Sequence, residues 1–280
     1  MRVFAAIVVL VSIVQVCLAK EEFRAEEFVK QHLDSIGTAE ARAAVKNRVA
    51  QGTVTFRILN GGPETWEGPA TLVAEGDKLA SLMKFPLTVY RTEWFVTDGK
   101  KSSIAQIRPG RWSQFGQFVM THDEILKEGL WGGTLSTGWA LSHLEERRAK
   151  LEDRGLKKVD GRDLHRVDYV PKKSSDLEIQ LYFEPDTCRH VMTVYLLTVS
   201  AQLGPNSRAS ANEQEAHYRL EEKFADFKTV DNVQIPSRWT INFTYGAQSS
   251  GTINQYDVSE QKIMQNITVD PKNFELKDAK

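Results

Sequence analysis

Residues 221–243 read EEKFADFKTVDNVQIPSRWTINF, and this stretch decides the fold. Val233, Ile235, Trp239, Ile241 and Phe243 fall on one parity, with Gln234, Arg238, Thr240 and Asn242 on the other. Strict alternation with a period of two predicts a strand with one buried face and one wet face. Tyr218, Leu220 and Phe224 supply the strand before it. Asp231-Asn232 make a two-residue turn from residue types that tolerate positive φ. The unit is a β-hairpin.

Outward from the hairpin, the same period recurs. Upstream, Val54, Phe56 and Ile58 alternate with Thr53, Thr55 and Arg57 until Gly61-Gly62-Pro63. Trp66–Ala74, Lys78–Phe85, Leu87–Thr97 and Lys101–Ile107 follow, separated by Gly, Pro and Asp turn signals. Asp163–Val170, Leu177–Phe183 and Arg189–Ala201 lie closer to the hairpin, and Thr252–Val258 follows it. Arg189–Ala201 is apolar on both parities, as expected of an interior strand covered on both sides. Short strands joined by tight turns, with no helix between them, predict an antiparallel meander.

Helical patterns interrupt it twice. Glu22–Ile36 places Ala25, Val29, Leu33 and Ile36 at helical spacing with Gly37 beyond, and Thr38 opens a second short helix through Val45. In the middle, Thr121-His122-Asp123-Glu124 reads as a capping box, followed by a Gly-rich stretch holding Trp131 and Trp139. A polar helix is expected from Trp139 to Asp153, stopping at Gly155. The reading is α+β: a strongly curved antiparallel sheet of 10–12 strands, a half-open barrel. It packs on an N-terminal helix pair and a helical insertion over about 121–155.

With 280 residues, 41% of them hydrophobic and 26% charged, the chain has globular composition. Arg2, the apolar run Val3–Val16 and Cys17-Leu18-Ala19 form a signal-peptide pattern over 1–19, leaving one domain over 20–280. Cys17 also admits a lipid-modified N-terminus, although Val16 is bulkier than such signals usually carry. Cleavage removes Arg2, so Lys+Arg falls from 36 to 35 against 37 acids, a net charge of −2. That balance gives no reason to expect nucleic acid or an anionic membrane as partner. Cys188 is then the one remaining cysteine and cannot form an internal disulfide.

Catalytic signals are weak. No histidine pair has metal-ligand spacing, so neither metal nor cofactor is expected. Ser136 in Gly133-Thr-Leu-Ser-Thr-Gly138 lacks the nucleophile-elbow pattern, and the glycines lack the Lys-Ser or Lys-Thr of a phosphate loop. Glu221-Glu222 and Glu145-Glu146 are sequence neighbours, which point apart on a strand or helix. A non-enzymatic protein is the expectation. Asn242-Phe-Thr and Asn266-Ile-Thr are glycosylation sequons only in a eukaryotic secretory route.

Three segments carry a family resemblance. They are Phe28-Val-Lys-Gln-His-Leu-Asp-Ser-Ile-Gly37, Leu181-Tyr-Phe-Glu-Pro-Asp-Thr187 and Phe224-Ala-Asp-Phe-Lys-Thr-Val-Asp-Asn-Val-Gln-Ile-Pro236. With the exported start, they resemble the LolA-like superfamily and its bacterial outer membrane lipoprotein-sorting relatives. The resemblance covers most of the mature chain and implies a half-open barrel closed by helices around a cavity for acyl chains. It also implies a sheet arginine that latches the lid; Arg57 is out of phase with Val54, Phe56 and Ile58. It places the protein in the periplasm or at the outer membrane, as a monomer with lipid or lipoprotein as partner and room for a transient membrane-protein contact. Candidate cavity-lining residues are Val54, Phe56, Ile58, Trp94, Trp131, Trp139, Leu181, Tyr195, Trp239 and Ile241. The alternative is a structural or interaction module of the same fold whose core is filled by its own side chains.

Overall fold

The computed structural model describes residues 23–200, 215–247 and 251–276. The signal-peptide reading, with Cys17, lies outside them. Five helices and twelve strands run in chain order: α1 Ala25–Ile36, α2 Ala39–Ala44, β1 Asn47–Ile58, β2 Thr65–Glu75, β3 Lys78–Lys84, β4 Thr92–Thr97, β5 Ser102–Ile104, α3 Gln114–Thr121, α4 Glu124–Lys127, α5 Leu144–Arg147, β6 Lys150–Val159, β7 Arg162–Val170, β8 Glu178–Phe183, β9 His190–Val199, β10 Ala216–Val230, β11 Val233–Ala247 and β12 Thr252–Gln265. Three 3-10 turns accompany them, at Gly133–Leu135, Ala140–His143 and Pro271–Phe274.

All twelve strands form one antiparallel sheet in the order β5-β4-β3-β2-β1-β12-β11-β10-β9-β8-β7-β6. It is curved and unclosed, with β5 and β6 as its free edges. Every neighbour in it is a sequence neighbour except β1 and β12, which join the two ends of the chain at mid-sheet, Phe56 opposite Tyr256. The segment between β5 and β6 crosses from one edge to the other, and this carries it over the sheet's inner face.

The hairpin forms as its residues dictate. Val230 pairs with Val233, and Asp231 and Asn232 take φ of 48° and 63°. Those values make the turn whose twist matches the flanking strands. Val233, Ile235, Trp239, Ile241 and Phe243 are all buried, whereas Arg238 is exposed. Glycine is required at the β1–β12 junction. A Cβ on Gly52 would stand 1.9 Å from the Ser259 carbonyl oxygen, beside the register shift between Gln51 and Gly52.

The main core covers the inner face from β4 to β7. A smaller cluster of Val49, Val73, Ala80, Val96 and Phe274 lies on the outer face of β1–β4, and another joins Leu164, Tyr182, Val191, Met192 and Val194. β9 is therefore covered on both sides.

Several expectations are corrected. The helical segment spans 114–147 rather than 121–155. A short helix does open here and Gly129 at φ 69° follows it, but Thr121 ends α3 and the N-cap of α4 is Asp123, in the αR region with no side-chain cap bond. The expected helix Trp139–Asp153 is a 3-10 turn and the four-residue α5, closed by Arg148 at φ 55°. Lys150–Asp153 belongs to edge strand β6, with a bulge between Asp153 and Gly155. β6 buries none of its residues, so it has no apolar period to distinguish it from a polar helix. In α1 the buried stripe is Phe28, His32 and Ile36, one step round from the stripe expected.

Candidate functional site

The inner face of the sheet is covered by residues 113–147, and their apolar side chains fill its concavity. Trp131 stands edge-on to Trp239 at 4.9 Å and to Phe95 at 5.3 Å. Phe115 stacks on Phe243 at 5.2 Å and on Tyr256 at 5.3 Å. Trp131, Leu135 and Trp139 are each at most 1% exposed. Of the sequence candidates, Val54, Phe56, Trp131, Trp139, Leu181, Tyr195, Trp239 and Ile241 meet in this one cluster, with Ile58 half-buried against it. Trp94 does not. It alternates with Phe95 on β4 and lies on the outer face, against the Val49 cluster.

Polar links fasten the covering segment to the sheet and to α1, and several engage buried ionisable side chains; the Tyr169 hydroxyl, for one, donates to Glu128 Oε2 at 2.7 Å. Ser113, the N-cap of α3, accepts from the Gly116 N–H and donates to the Glu93 carboxyl. Tyr90 also donates to Glu93, at 2.6 Å, and contacts the Tyr256 hydroxyl at 2.6 Å. The Gly132 N–H donates to Glu222 Oε2 at 2.8 Å, while the Tyr195 hydroxyl donates to Oε1 at 2.8 Å. Arg48 Nη1 donates to the carbonyls of Thr134 and Leu135 at 2.6 and 3.0 Å. Trp139 Nε1–H donates to His32 Nε2 at 2.8 Å, which fixes the proton of His32 on Nδ1, facing the Cys188 carbonyl at 2.9 Å.

Burial decides the protonation of these groups. Loss of hydration pushes Glu222 up to about 8, against the opposing bonds from Gly132 and Tyr195. The same cause raises Glu93 to about 7, and it raises Glu260, on β12 with Oε2 unpartnered, to about 7. His32 is lowered to about 4 and His190 well below the usual imidazole value, so both are neutral. Arg48 is lowered to about 10 by burial. The cover therefore rests on carboxyls raised to about 7 and 8 at Glu93 and Glu222, on the neutral His32 and on one buried guanidinium.

The sequence reading missed these groups, although parity marks three of them. Arg48 shares its face with Ala50, Val54 and Phe56, because β1 pairs with β2 without a break. Glu222 shares its face with Leu220 and Phe224, and His32 lies one helical turn from both Phe28 and Ile36. The Ser136 hydroxyl accepts from the Gly138 N–H at 3.1 Å and has no hydrogen-bonded histidine. Among the described residues no cluster of three or more His, Cys, Asp or Glu could hold a metal. No described helix is long and apolar enough to cross a membrane.

Two open clefts lie outside the concavity. One, of about 480 Å³, sits at the β5 edge between Trp94, Ile104, Trp112, Met120 and Leu276. The other, of about 330 Å³, carries the ion pairs of Arg154 and Arg166 with Asp168.

No family model matches the chain, and no curated protein matches it. Solved structures do. A domain described as an outer membrane lipoprotein-sorting protein from Vibrio parahaemolyticus is similar at TM-score 0.46 and 11% identity, over 90% of this chain and 97% of that one. A DUF1329 family protein from Desulfovibrio piger aligns at 0.46 and 10%, over 90% and 97%. A LolA superfamily protein from Nitrosomonas europaea aligns at 0.46 and 9%, over 91% and 99%. Structures of the LolA superfamily and of lipoprotein-sorting domains are thus among those this chain resembles. Similarity at this level leaves function to be read from the chain's own geometry.

Proposed function

We propose that this is an exported cell-envelope protein that binds an apolar ligand, a lipid or a lipoprotein acyl chain, on the concave face of its sheet. The ligand takes the place that residues 113–147 fill in this structure. The observation that carries the reading is how the cover is attached. It is built of short helices and 3-10 turns, its underside is mainly apolar, and polar contacts hold it at discrete points, among them Glu93, Glu222, Arg48, His32, the Tyr169–Glu128 bond and the Arg147–Asp77 ion pair. Displacing it exposes a continuous aromatic surface, the lining that acyl chains need. The side chains that would meet the ligand are Phe56, Tyr195, Trp239 and Ile241 on the sheet, at the place that Trp131 and Trp139 of the cover now occupy. The chemistry is binding, with no reacting group assigned. Periplasmic residence and a single domain over 20–280 belong to the same proposal.

A second reading has an observation of its own. Trp131, Leu135 and Trp139 fill the concavity so fully that the fold can serve as a self-filled interaction module. Organic extraction of the mature protein, recovered from its envelope without detergent, separates the two. The binding reading expects acyl chains in near-stoichiometric amount; the module reading expects none in the extract and no uptake when lipid is offered.

A further inference from the structure

Arg48 carries a buried positive charge with no negative partner. It is 4% exposed, and among the described residues no carboxylate forms an ion pair with it. Its Nη1 is spent on the Thr134 and Leu135 carbonyls, and its Nε is buried without any acceptor. A buried cation is ordinarily paired, because leaving water without a counter-charge is costly. The edge left over, Nε with Nη2, is the one that receives a carboxylate or phosphate through two parallel bonds.

Beside it is a place for such a group. A cavity of about 70 Å³ opens between Arg48, Arg42, the Ser136–Thr137 turn and Ser142, with Trp139 closing one wall. No acidic residue lines it. Arg42 reaches it from α2 while its Nη1 caps the end of α1 at the Leu33 and Gly37 carbonyls. Arg42 has Asp34 at 3.7 Å outside the lining, whereas Arg48 has no counter-charge; with the hydroxyls, and with Ile36, Val45 and Val233 as apolar walls, they surround a small volume that can seat an anion. We infer that this cavity binds a tetrahedral phosphate oxyanion, seated between Arg48 and Arg42 with the Ser136 and Ser142 hydroxyls as further donors.

The inference does not rest on the apolar-ligand reading, since the site lies at the edge of the cover and its chemistry is polar. The oxyanion can come from two sources: free phosphate, or the phosphate of a lipid headgroup whose chains run towards the concave face. The shared contact is the same.

Isothermal titration of the full mature protein with inorganic phosphate, at constant ionic strength, tests the site. A second titration with monomeric dihexanoyl phosphatidic acid distinguishes the sources. Saturable one-to-one binding is expected, weakened at least ten-fold in Arg48→Gln and partly retained in Arg48→Lys, which keeps the charge and loses the fork. Because Arg48→Gln also frees the cover, Ser142→Glu serves as the second variant. Ser142 is exposed, so the fold is kept, and a carboxylate at the rim should abolish binding. Equal affinity for the two ligands assigns the site to free phosphate, and tighter binding of the lipid assigns it to a headgroup. Absence of binding to either ligand, or binding unchanged in both Arg48→Gln and Ser142→Glu, overturns the inference.

Discussion

Replacing Glu222 by Gln should make the protein more stable in alkali while leaving it nearly unchanged in acid. Glu222 is fully buried, accepts from Gly132 and Tyr195, and has its pKa raised from 4.5 to about 8 by burial. An acid raised on folding binds its proton in the native state at pH values where the unfolded chain has already lost it. Stability is then full below about pH 4.5, falls by about 1.4 kcal/mol per pH unit between 4.5 and 8, and levels off above. The total is on the order of 5 kcal/mol, a large share of the roughly 5–15 kcal/mol that a domain possesses. In Glu222→Gln the amide oxygen keeps the Gly132 N–H, and the amide nitrogen can donate to the Tyr195 hydroxyl, which accepts as well as donates. One amide hydrogen is left unpaired, at about 1 kcal/mol. The variant should be about 1 kcal/mol less stable at pH 4, about equal near pH 5 where the curves cross, and several kcal/mol more stable at pH 9. Glu93 and Glu260 titrate alike in both proteins, so the difference isolates Glu222. Urea denaturation followed by tryptophan fluorescence at each pH unit from 4 to 9 measures it. Parallel stability curves, or a variant weaker than the parent at pH 9, would refute the reasoning.

Trp139→Phe keeps one aromatic ring but removes the pyrrole ring and the N–H that reaches His32 at 2.8 Å, leaving a buried acceptor unpaired and a small void beside it. A loss of about 1–3 kcal/mol is expected by denaturant melt, with faster amide exchange at the end of α1 as its local sign. Gly52→Ala places a methyl 1.9 Å from the Ser259 carbonyl oxygen, where both strands are backbone-paired and cannot yield freely. Its cost should be about 3 kcal/mol, read as a lower melting temperature. A neutral outcome there would mean that the β1–β12 seam is looser than described.

The sheet was legible wherever one face is wet and the other dry. The hairpin at Asp231-Asn232 has both signals, turn chemistry and strict parity, and forms at the expected register. β6 offers neither, because Lys150–Val159 is a free edge with polar side chains on both faces, and its first residues, Lys150–Asp153, read as the end of a helix. The middle of the chain was misread for a related reason. Its structure is set by what it covers, so Thr121-His122-Asp123-Glu124 carries a capping pattern that tertiary packing overrides. In the candidate site, aromatic bulk identified most of the inner cluster but could not say which side Trp94 faces. The buried Glu222, Arg48 and His32 were readable only by trusting parity over residue type, since charged side chains are expected outside. Glu93 was hidden further, because its burial depends on the segment that crosses over it.

The central claim is that the cover can leave the concave face and an apolar chain can take its place. Native mass spectrometry of the mature protein incubated with monoolein, which has acyl bulk and no phosphate, tests this without engaging the Arg48 cavity. The account predicts a one-to-one adduct that grows with lipid concentration and diminishes in Trp239→Glu, which puts a charge on the sheet side of the site. The bare protein mass at every lipid ratio would contradict it and leave the self-filled module as the reading of this fold.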